Sequence, residues 1–208
     1  MDGQAVITIV DDDESLRVAL EGLFRSVGLT ARGFSSISDF LACPDRSEHG
    51  CLVLDVRLPG VSGLDFQERM DDLGVRLPVV LMTGHGDIPM SVRAMKAGAI
   101  DFLPKPFRDQ DMLDAVSQAL QAGARRREAE REIKALKERF ATLSPREKQV
   151  MARVTSGKMN KQVAGELQLS EITVKIHRGS AMRKMEARSL AALVRMAGEL
   201  GPELTPFA

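Results

Sequence analysis

The chain is poor in cysteine and has no long apolar run. Of its 208 residues only two are cysteines, Cys43 and Cys51, which is too few for a disulfide framework. No run approaches the roughly 18 apolar residues that a membrane-spanning helix needs. The start, Met-Asp-Gly-Gln, lacks the basic and apolar regions of a signal peptide. We therefore expect a reduced, cytoplasmic protein with no membrane partner.

An excess of either charge is also missing, since the formal net charge is zero. The two halves nevertheless differ. Residues 1–123 hold 11 Lys and Arg against 19 Asp and Glu, whereas residues 124–208 hold 18 against 10. A solvated charge run at residues 125–127 does not account for basic residues spread over the whole second half. The asymmetry indicates two domains and favours a nucleic-acid partner for the second.

Four short apolar runs end in polar residues. Asp11 and Asp12 follow the first run, Asp55 ends the second, Thr83 ends the third and Lys105 follows the fourth. Such runs are typical of strands buried on both faces of a parallel sheet, and helical patterns lie between them. Ligands bind beyond the carboxyl ends of such strands. We therefore expect these five side chains to share one edge of the sheet.

This set of residues suits phosphoryl transfer. Three clustered carboxylates repel one another and need a cation, and hard oxygen ligands favour Mg²⁺. Asp55, alone at its strand end, is the best candidate for a nucleophile that attacks phosphorus, with Asp11 and Asp12 as the metal pair. Thr83 and Lys105 can each contact a phosphoryl oxygen. A lone strand-end Asp is most often a helix cap or turn residue, but the complete set in this order favours the chemistry.

Residues 1–122 resemble the receiver domain of bacterial response regulators. The matching segments are IVDDD at 9–13, LDVRLPG at 54–60, MTGHGD at 82–87 and FLPKPF at 102–107. The resemblance implies an α/β fold with a doubly wound five-stranded parallel sheet, as in flavodoxin and CheY. We predict strands near 5–10, 30–34, 51–55, 79–83 and 100–103, and helices near 14–27, 36–42, 63–73, 87–97 and from 109 onward.

The same resemblance implies roles for individual residues. Asp55 would accept phosphate from a cognate sensor histidine kinase. Asp12, Asp55 and the backbone carbonyl of Arg57 would hold Mg²⁺, and Asp11 would contact the ion through water. The Lys105–Pro106 peptide would be cis, because X-Pro is the bond at which cis costs little.

A long helix is predicted to continue to about residue 141 and to link the domains, with Asp109 as its cap and Gly123 as its weak point. Its apolar residues after Gly123, namely Ile133, Leu136, Phe140 and Leu143, span barely two heptads, which is too short for a stable coiled coil by itself. The predicted divisions are a receiver at 1–122, a helical linker at 123–141 and a second domain at 142–208.

Four further helices are predicted in the second domain. Ser144 and Glu147 form a capping box, and Asn160, Ser170 and Ser189 are predicted to cap the next three helices, which run to about Leu167, Met185 and Leu200. The short turn between the second and third of these helices indicates a helix-turn-helix arrangement in a small all-α domain.

Residues 140–198 resemble the LuxR-type output domain. The segments that match are 143–147, 160–164, 173–178, 181–185 and 187–190. With the receiver in front, the whole chain resembles transcriptional regulators of the FixJ/NarL type. Gln168 occupies a turn position where Gly is frequent, and a positive φ there would carry some strain.

The third helix of this domain is the predicted reader of DNA. Val174, Ala181 and Met185 form its core face, and the stripe Ile172, Lys175, Ile176 and Gly179 would face the major groove. Lys175 is the candidate for a base-edge or phosphate contact, and Ile176 for contact with a thymine methyl. The candidates for phosphate anchors are Thr173, Arg178, Lys184 and Lys161, although plain solvation is an equal alternative for Lys161 and Lys184. His177 is interpreted as packed or near phosphate rather than as a metal ligand.

Phosphorylation is expected to gate this domain. By resemblance, phosphate on Asp55 would draw Thr83 inward and repack Phe102, and the helix 4–strand 5 face would then form a homodimer. That face would include Ile88, Met90, Arg93 and Ala94. Double-stranded DNA and RNA polymerase would be the other partners, and the chain would not itself be an enzyme.

Two alternatives stay open at this point. A phosphatase or phosphotransferase could act on an external substrate through an aspartyl phosphate, and it would need a substrate pocket or lid. A constitutive DNA-binding protein could carry a vestigial receiver, but the intact set of Asp12, Asp55, Thr83 and Lys105 argues against it.

Overall fold

Two units make up the chain, Met1–Arg126 and Arg127–Ala208. The computed structural model describes residues 5–44, 49–84, 88–204 and 207. Among these residues no helix has both the length and the apolar character that a bilayer crossing requires. His85, Gly86 and Asp87, the last residues of the matching segment 82–87, lie outside the described part of the chain.

The first unit is built on a parallel sheet with the strand order β2-β1-β3-β4-β5. The strands are β1 Val6–Val10, β2 Thr30–Phe34, β3 Gly50–Asp55, β4 Val79–Thr83 and β5 Asp101–Pro104. The helices are α1 Glu14–Ser26, α2 Ile37–Ala42, α3 Gly63–Glu68, α4 Ile88–Lys96 and α5 Asp109–Ala141. Strand order and element order confirm the predicted doubly wound fold.

Alternating side chains divide the core of this unit between the two faces of the sheet. Leu52 and Leu54 pack with Phe40 and Phe66 on one face, whereas Val53, between them, packs on the other. The second face also holds residues from α1 and from the first turns of α5. The alternation follows from the two-residue period of a strand, and burial on both faces explains why the strands are apolar throughout.

Helix α3 is shorter than predicted, because it ends at Glu68 and not near residue 73. Turns follow it, and Gly74, at φ 68°, redirects the chain so that Met70 and Val75 are buried. The adjacent acids Asp71 and Asp72 would lie at the negative end of the helix dipole if the helix continued, and that placement is unfavourable.

The second unit is helical. It contains the end of α5 followed by α6 Pro145–Thr155, α7 Asn160–Leu167, α8 Glu171–Lys184, α9 Leu190–Leu200 and a 3₁₀ turn, Gly201–Glu203. Leu136 and Phe140 of α5 lie in its core, while Ile133 is exposed. The four predicted helices after α5 are confirmed, and α5 continues through Gly123.

The capping predictions have mixed outcomes. The capping box is confirmed, since Ser144 Oγ accepts from Glu147 N and Glu147 accepts from Ser144 N. The prediction for Asn160 is wrong: Met159 holds the cap position of α7, and Asn160 Oδ1 accepts a hydrogen bond from Arg178 instead. Asp109 likewise lies within α5 as its first residue. Gln168 adopts the left-handed conformation, with φ 54°.

Candidate functional site

Three carboxylates meet at the carboxyl edge of the sheet. Val10 of β1 pairs with Leu54 of β3, so the residues that follow each strand lie side by side. Ligand oxygens of Asp11, Asp12 and Asp55 all fall within 4.8 Å of one another. Asp11 and Asp55 are buried, whereas Asp12 is exposed. The edge is therefore an acidic cluster that solvent reaches at Asp12.

Lys105 supplies the positive charge of this cluster. It follows β5, two strands away from β3 in the sheet, and its Nζ lies 2.6 Å from Asp11 Oδ2 and 2.9 Å from Asp55 Oδ2. Burial opposes the charged form of Lys105, but its hydrogen bonds to the two carboxylates raise its pKa. Burial raises the pKa of Asp11 despite the opposing hydrogen bond from Lys105. One ammonium thus bridges two of three clustered carboxylates.

The loop after β3 fixes the backbone around Asp55. Arg57 N donates to Asp55 Oδ1 at 3.1 Å, Gly63 N donates to Val56 O at 2.9 Å, and a bridge joins Arg57 to Ser62. A Cβ on Gly63 would lie 2.2 Å from the carbonyl oxygen of Asp55. The site therefore needs glycine at position 63. The sequence pattern alone does not single out this residue, because it places Gly63 merely at a helix start.

The remaining receiver candidates lie on β4 and β5. Asp55 pairs with Met82, so Thr83 stands one residue further along the same edge, where it is fully buried. Phe102 is partly buried and packs against the core of one sheet face. The Lys105–Pro106 peptide is cis, as predicted.

A groove of about 580 Å³ opens beside the acidic cluster. Asp12 and Arg57 line it together with Met90 and Arg93 of α4. It leaves the exposed side of the cluster open to an incoming group.

The outer face of α4 differs in part from the prediction. Ile88 is 80% exposed, and Arg93 is held in ion pairs with Asp65 and Glu68 of α3, each at 2.7 Å. The placement of Ala94 on this face is wrong, because Ala94 is fully buried and its carbonyl accepts from Gln67. A helix turns by about 100° per residue, which carries Ala94 inward from its neighbour.

In the second unit, α8 presents two distinct faces. Val174, Ala181 and Met185 are fully buried, which confirms the predicted core face. On the opposite side Ile172 and Ile176 are 71% and 65% exposed. The members of this exposed stripe are Ile172, Lys175, Ile176 and Gly179.

The other residues that are predicted to contact DNA differ in whether their polar groups already take part in hydrogen bonds within the unit. Lys161 is exposed on the first turn of α7. The hydroxyl of Thr173 lies 2.8 Å from Ser170 Oγ, and an Nη of Arg178 donates to Asn160 at 3.2 Å. Lys184 donates to Glu147 Oε2 at 2.7 Å and to the carbonyl of Thr142.

Glu147 has a second role that the capping pattern does not reveal. It is buried, and Ser180 Oγ of α8 donates to its Oε1 at 2.6 Å. Burial works to raise its pKa, but the hydrogen bonds from Lys184, Ser180 and the Ser144 amide lower the pKa of Glu147 to about 2. The charged carboxylate therefore ties α6 to the last turns of α8.

Comparison with known families matches both units. Residues 7–117 match the response regulator receiver domain, and residues 141–197 match the bacterial regulatory proteins of the luxR family. Both matches agree with the resemblances inferred from the sequence.

Individual proteins match along nearly the whole chain. Nodulation protein W of Bradyrhizobium diazoefficiens is 56% identical over 95% of this chain and 87% of its own length. Transcriptional regulatory protein FixJ of Rhizobium meliloti is 39% identical over 94% of this chain and 97% of its own. The solved structure of the response regulator StyR is similar with a TM-score of 0.82 and 48% identity, covering 95% of this chain and all of that one. The chain therefore belongs to the two-component response regulators that join a receiver domain to a LuxR-type DNA-binding domain.

Proposed function

We propose that this response regulator is switched by phosphorylation of Asp55, with a histidine kinase as donor, and that the switch controls binding of the second unit to promoter DNA. The observation that carries the proposal is the geometry of Lys105, whose ammonium contacts both Asp11 and Asp55. Such a cation, placed at a strand-end carboxylate, neutralises a phosphoryl group as it arrives.

The proposed chemistry is a displacement at phosphorus. An oxygen of Asp55 attacks the phosphoryl group, the bond from phosphorus to the donor imidazole nitrogen breaks, and an acyl phosphate forms. Arg57 N holds one oxygen of Asp55 and Lys105 the other, so both oxygens are oriented. Lys105 and the hydroxyl of Thr83 then contact the new phosphoryl oxygens. The phosphate stays on the chain as a signal, and we assign no turnover of an external substrate.

The acidic cluster fits Mg²⁺. Ligand oxygens of three carboxylates lie within 4.8 Å of one another, and the ammonium of Lys105 contacts two of these carboxylates. Hard oxygen donors of this kind suit the ion. Asp12, Asp55 and the carbonyl of Arg57 would hold it, with Asp11 contacting it through water. When bound, Mg²⁺ would supply positive charge next to the phosphoryl oxygens.

The output of the switch would be a homodimer that binds DNA. Phosphorylation would move Thr83 and Phe102, and the exposed face of α4 would pair with its copy. That face carries the exposed apolar residues Ile88, Val92 and Met95, which is typical of an interaction surface. RNA polymerase would be the further partner at the promoter.

Recognition of DNA would depend on the exposed stripe of α8. Lys175 and Ile176 would reach base edges in the major groove, and Lys161, Thr173 and Arg178 would contact phosphates. Lys184 is reassigned from this set to a structural role, because its ammonium is held by Glu147 and the Thr142 carbonyl.

Replacing the proposed acceptor tests the function. Asp55→Asn should take up no hydroxylamine-labile phosphate from acetyl phosphate and Mg²⁺, since the amide is a poor nucleophile. Asp71→Asn, an exposed acid elsewhere in the receiver, is the matched control and should be phosphorylated like the wild type. An Asp55→Asn chain that still forms an acyl phosphate would show that another carboxylate is the acceptor.

A further inference from the structure

The chain continues beyond the LuxR-family match, which ends at residue 197, and its last described residues pack on the second unit. Leu204 is 8% exposed and belongs to the hydrophobic core. Phe207 packs against the same core. We call Glu203, Leu204 and Phe207 the C-terminal clasp.

The clasp contacts the last two turns of α5. Glu203 Oε1 lies 2.7 Å from Lys137 Nζ. The ring of Phe207 meets that of Phe140 edge to face, with centroids 6.1 Å apart and planes at 71°. An ion pair and an aromatic contact thus fall on successive turns of one helix.

The clasp also contacts α6. The ammonium of Lys148 lies 4.7 Å from the ring centre of Phe140 and 5.4 Å from that of Phe207, within the range of cation–π attraction. An Nη of Arg153 donates to the backbone carbonyl of Phe207 at 2.7 Å. Arg153 is also paired with Glu166 of α7, which restricts its side chain. Phe207 is therefore held between Phe140 of α5 and the basic residues Lys148 and Arg153 of α6.

From α6 the contacts continue to the helix that would read DNA. Glu147, in the first turn of α6, accepts from Ser180 and Lys184 of α8. In addition, Arg139 of α5 is paired at 2.6 Å with Glu186, which follows α8 in a left-handed conformation at φ 57°. The end of α5 and the end of α8 are thus joined by two separate routes.

We propose that the C-terminal clasp fastens the end of α5 to α6, so that the last turns of α5 move as part of the DNA-binding unit and act on α8 as positioning elements. Each contact is weak in isolation, but four of them converge on one short segment. The effect on gating rests on the proposed function, whereas the fastening itself does not.

Hydrogen exchange of the full-length chain tests the fastening. In Glu203→Gln/Phe207→Ala, amides of residues 137–141 should exchange on the order of tenfold faster than in the wild type, because local opening of α5 becomes easier. Amides of α7 and α8 should keep their protection. Glu199→Gln, an exposed acid at the end of α9, is the control and should change neither. Unchanged exchange at 137–141 in the double variant, or an equal loss of protection throughout the unit, would overturn the proposal.

A binding measurement tests the consequence for gating. A duplex selected from a random pool by the phosphorylated wild-type chain is the probe. We expect the ratio of the affinities for this duplex with and without acetyl phosphate to be at least about fivefold smaller in the double variant than in the wild type. A factor of about five is the lower end of the usual coupling between two sites. If this ratio were unchanged although the α5 amides exchanged faster, the end of α5 would not be the element that transmits the effect of phosphorylation to α8. If the wild-type chain bound the duplex equally well with and without acetyl phosphate, the proposed gating would fail. The hydrogen-exchange result would still test whether the clasp fastens α5 to α6.

Discussion

Among single residues, neighbours in sequence can have unlike environments at the site. Asp11 is buried and bound to Lys105, whereas Asp12, the next residue, is exposed. Strand β1 ends just before these residues, and the chain turns there, so that the Asp11 side chain is directed into the protein and the Asp12 side chain into solvent. Asp12 is therefore the carboxylate that an ion from solvent meets first.

This difference predicts the effect of Asp12→Ala. Binding of Mg²⁺ should weaken by at least about tenfold, because a ligand is lost, while the fold stays intact because the side chain is exposed and one repelling charge is removed. Calorimetric titration with Mg²⁺ measures the affinity, and circular dichroism checks the fold. Asp72→Ala, at an exposed acid outside the acidic cluster, is a matched control. Equal Mg²⁺ affinity in Asp12→Ala and wild type would exclude Asp12 as a ligand.

Lys175 permits a second test at this scale. It lies on the exposed stripe in the first two turns of α8, where recognition helices contact base edges. If Lys175 reads a base, Lys175→Ala should cost roughly 1–3 kcal/mol on the specific duplex and relax the preference at one position. If Lys175 contacts phosphate only, binding should weaken evenly on all sequences and the salt slope should fall by about one.

Salt titrations of the Lys175→Ala and wild-type chains on specific and random duplexes separate these outcomes, and we expect the first. Arg188→Ala, an exposed basic residue outside α8, controls for the loss of one charge. Unchanged affinity of Lys175→Ala for both duplexes would show that the DNA-facing stripe lies on another side of α8.

At the scale of elements, a single carboxylate connects helices that are far apart in sequence. Glu147 caps α6 through Ser144 and also binds Ser180 and Lys184 of α8. Capping explains its position in the sequence, but the contacts with α8 arise only when the two helices cross. The contact between α6 and α8 thus includes a buried charge, and the contribution of that charge is sensitive to acid.

The pH dependence follows from the lowered pKa of Glu147, about 2 against an ordinary 4.5. The folded state favours the charged form of Glu147. Its contribution to the free energy of unfolding is therefore fully present above about pH 5 and is lost as the pH falls towards 2. Near pH 6, Glu147→Gln should lower the free energy of unfolding by roughly 1–3 kcal/mol, because charged hydrogen bonds are lost.

Urea unfolding of wild type and Glu147→Gln between pH 6 and pH 2 measures this contribution. The difference in the free energy of unfolding between the two chains should shrink steadily as the pH falls. Glu199→Gln, with an exposed carboxylate, should show no comparable trend. A difference that stayed constant with pH would mean that the charge of Glu147 does not stabilise the α6–α8 contact.

For the whole molecule, the opposite charges of the two halves matter more than the net charge of zero. Residues 1–123 carry a balance of −8 and residues 124–208 a balance of +8. Covalent attachment of an acidic unit reduces the attraction of a basic one to DNA, because the fields of both act on the same phosphates.

A fragment of residues 124–208 should therefore bind DNA more tightly than the unphosphorylated full-length chain. The difference in DNA affinity between the fragment and the full-length chain should be largest at low salt. It should shrink as the salt concentration rises, since charges are screened within about 10 Å at 0.1 M. Fluorescence anisotropy with one labelled duplex over a range of salt concentrations measures both affinities. Equal affinities at low salt would remove the case for electrostatic inhibition by the receiver.

Local patterns in the amino-acid sequence were enough to predict the strands of the receiver, the order of its helices, the four-helix second unit and the edge where Asp11, Asp55, Thr83 and Lys105 meet. These features follow from local signals: apolar runs, caps, and polar residues at the ends of strands. The folded chain was needed to show which carboxylates Lys105 bridges, that position 63 must be glycine, that α3 ends early, that Ala94 faces inward, and that Lys184 binds Glu147. Each of these depends on distances between segments remote in sequence, and periodicity along one chain carries no information about them.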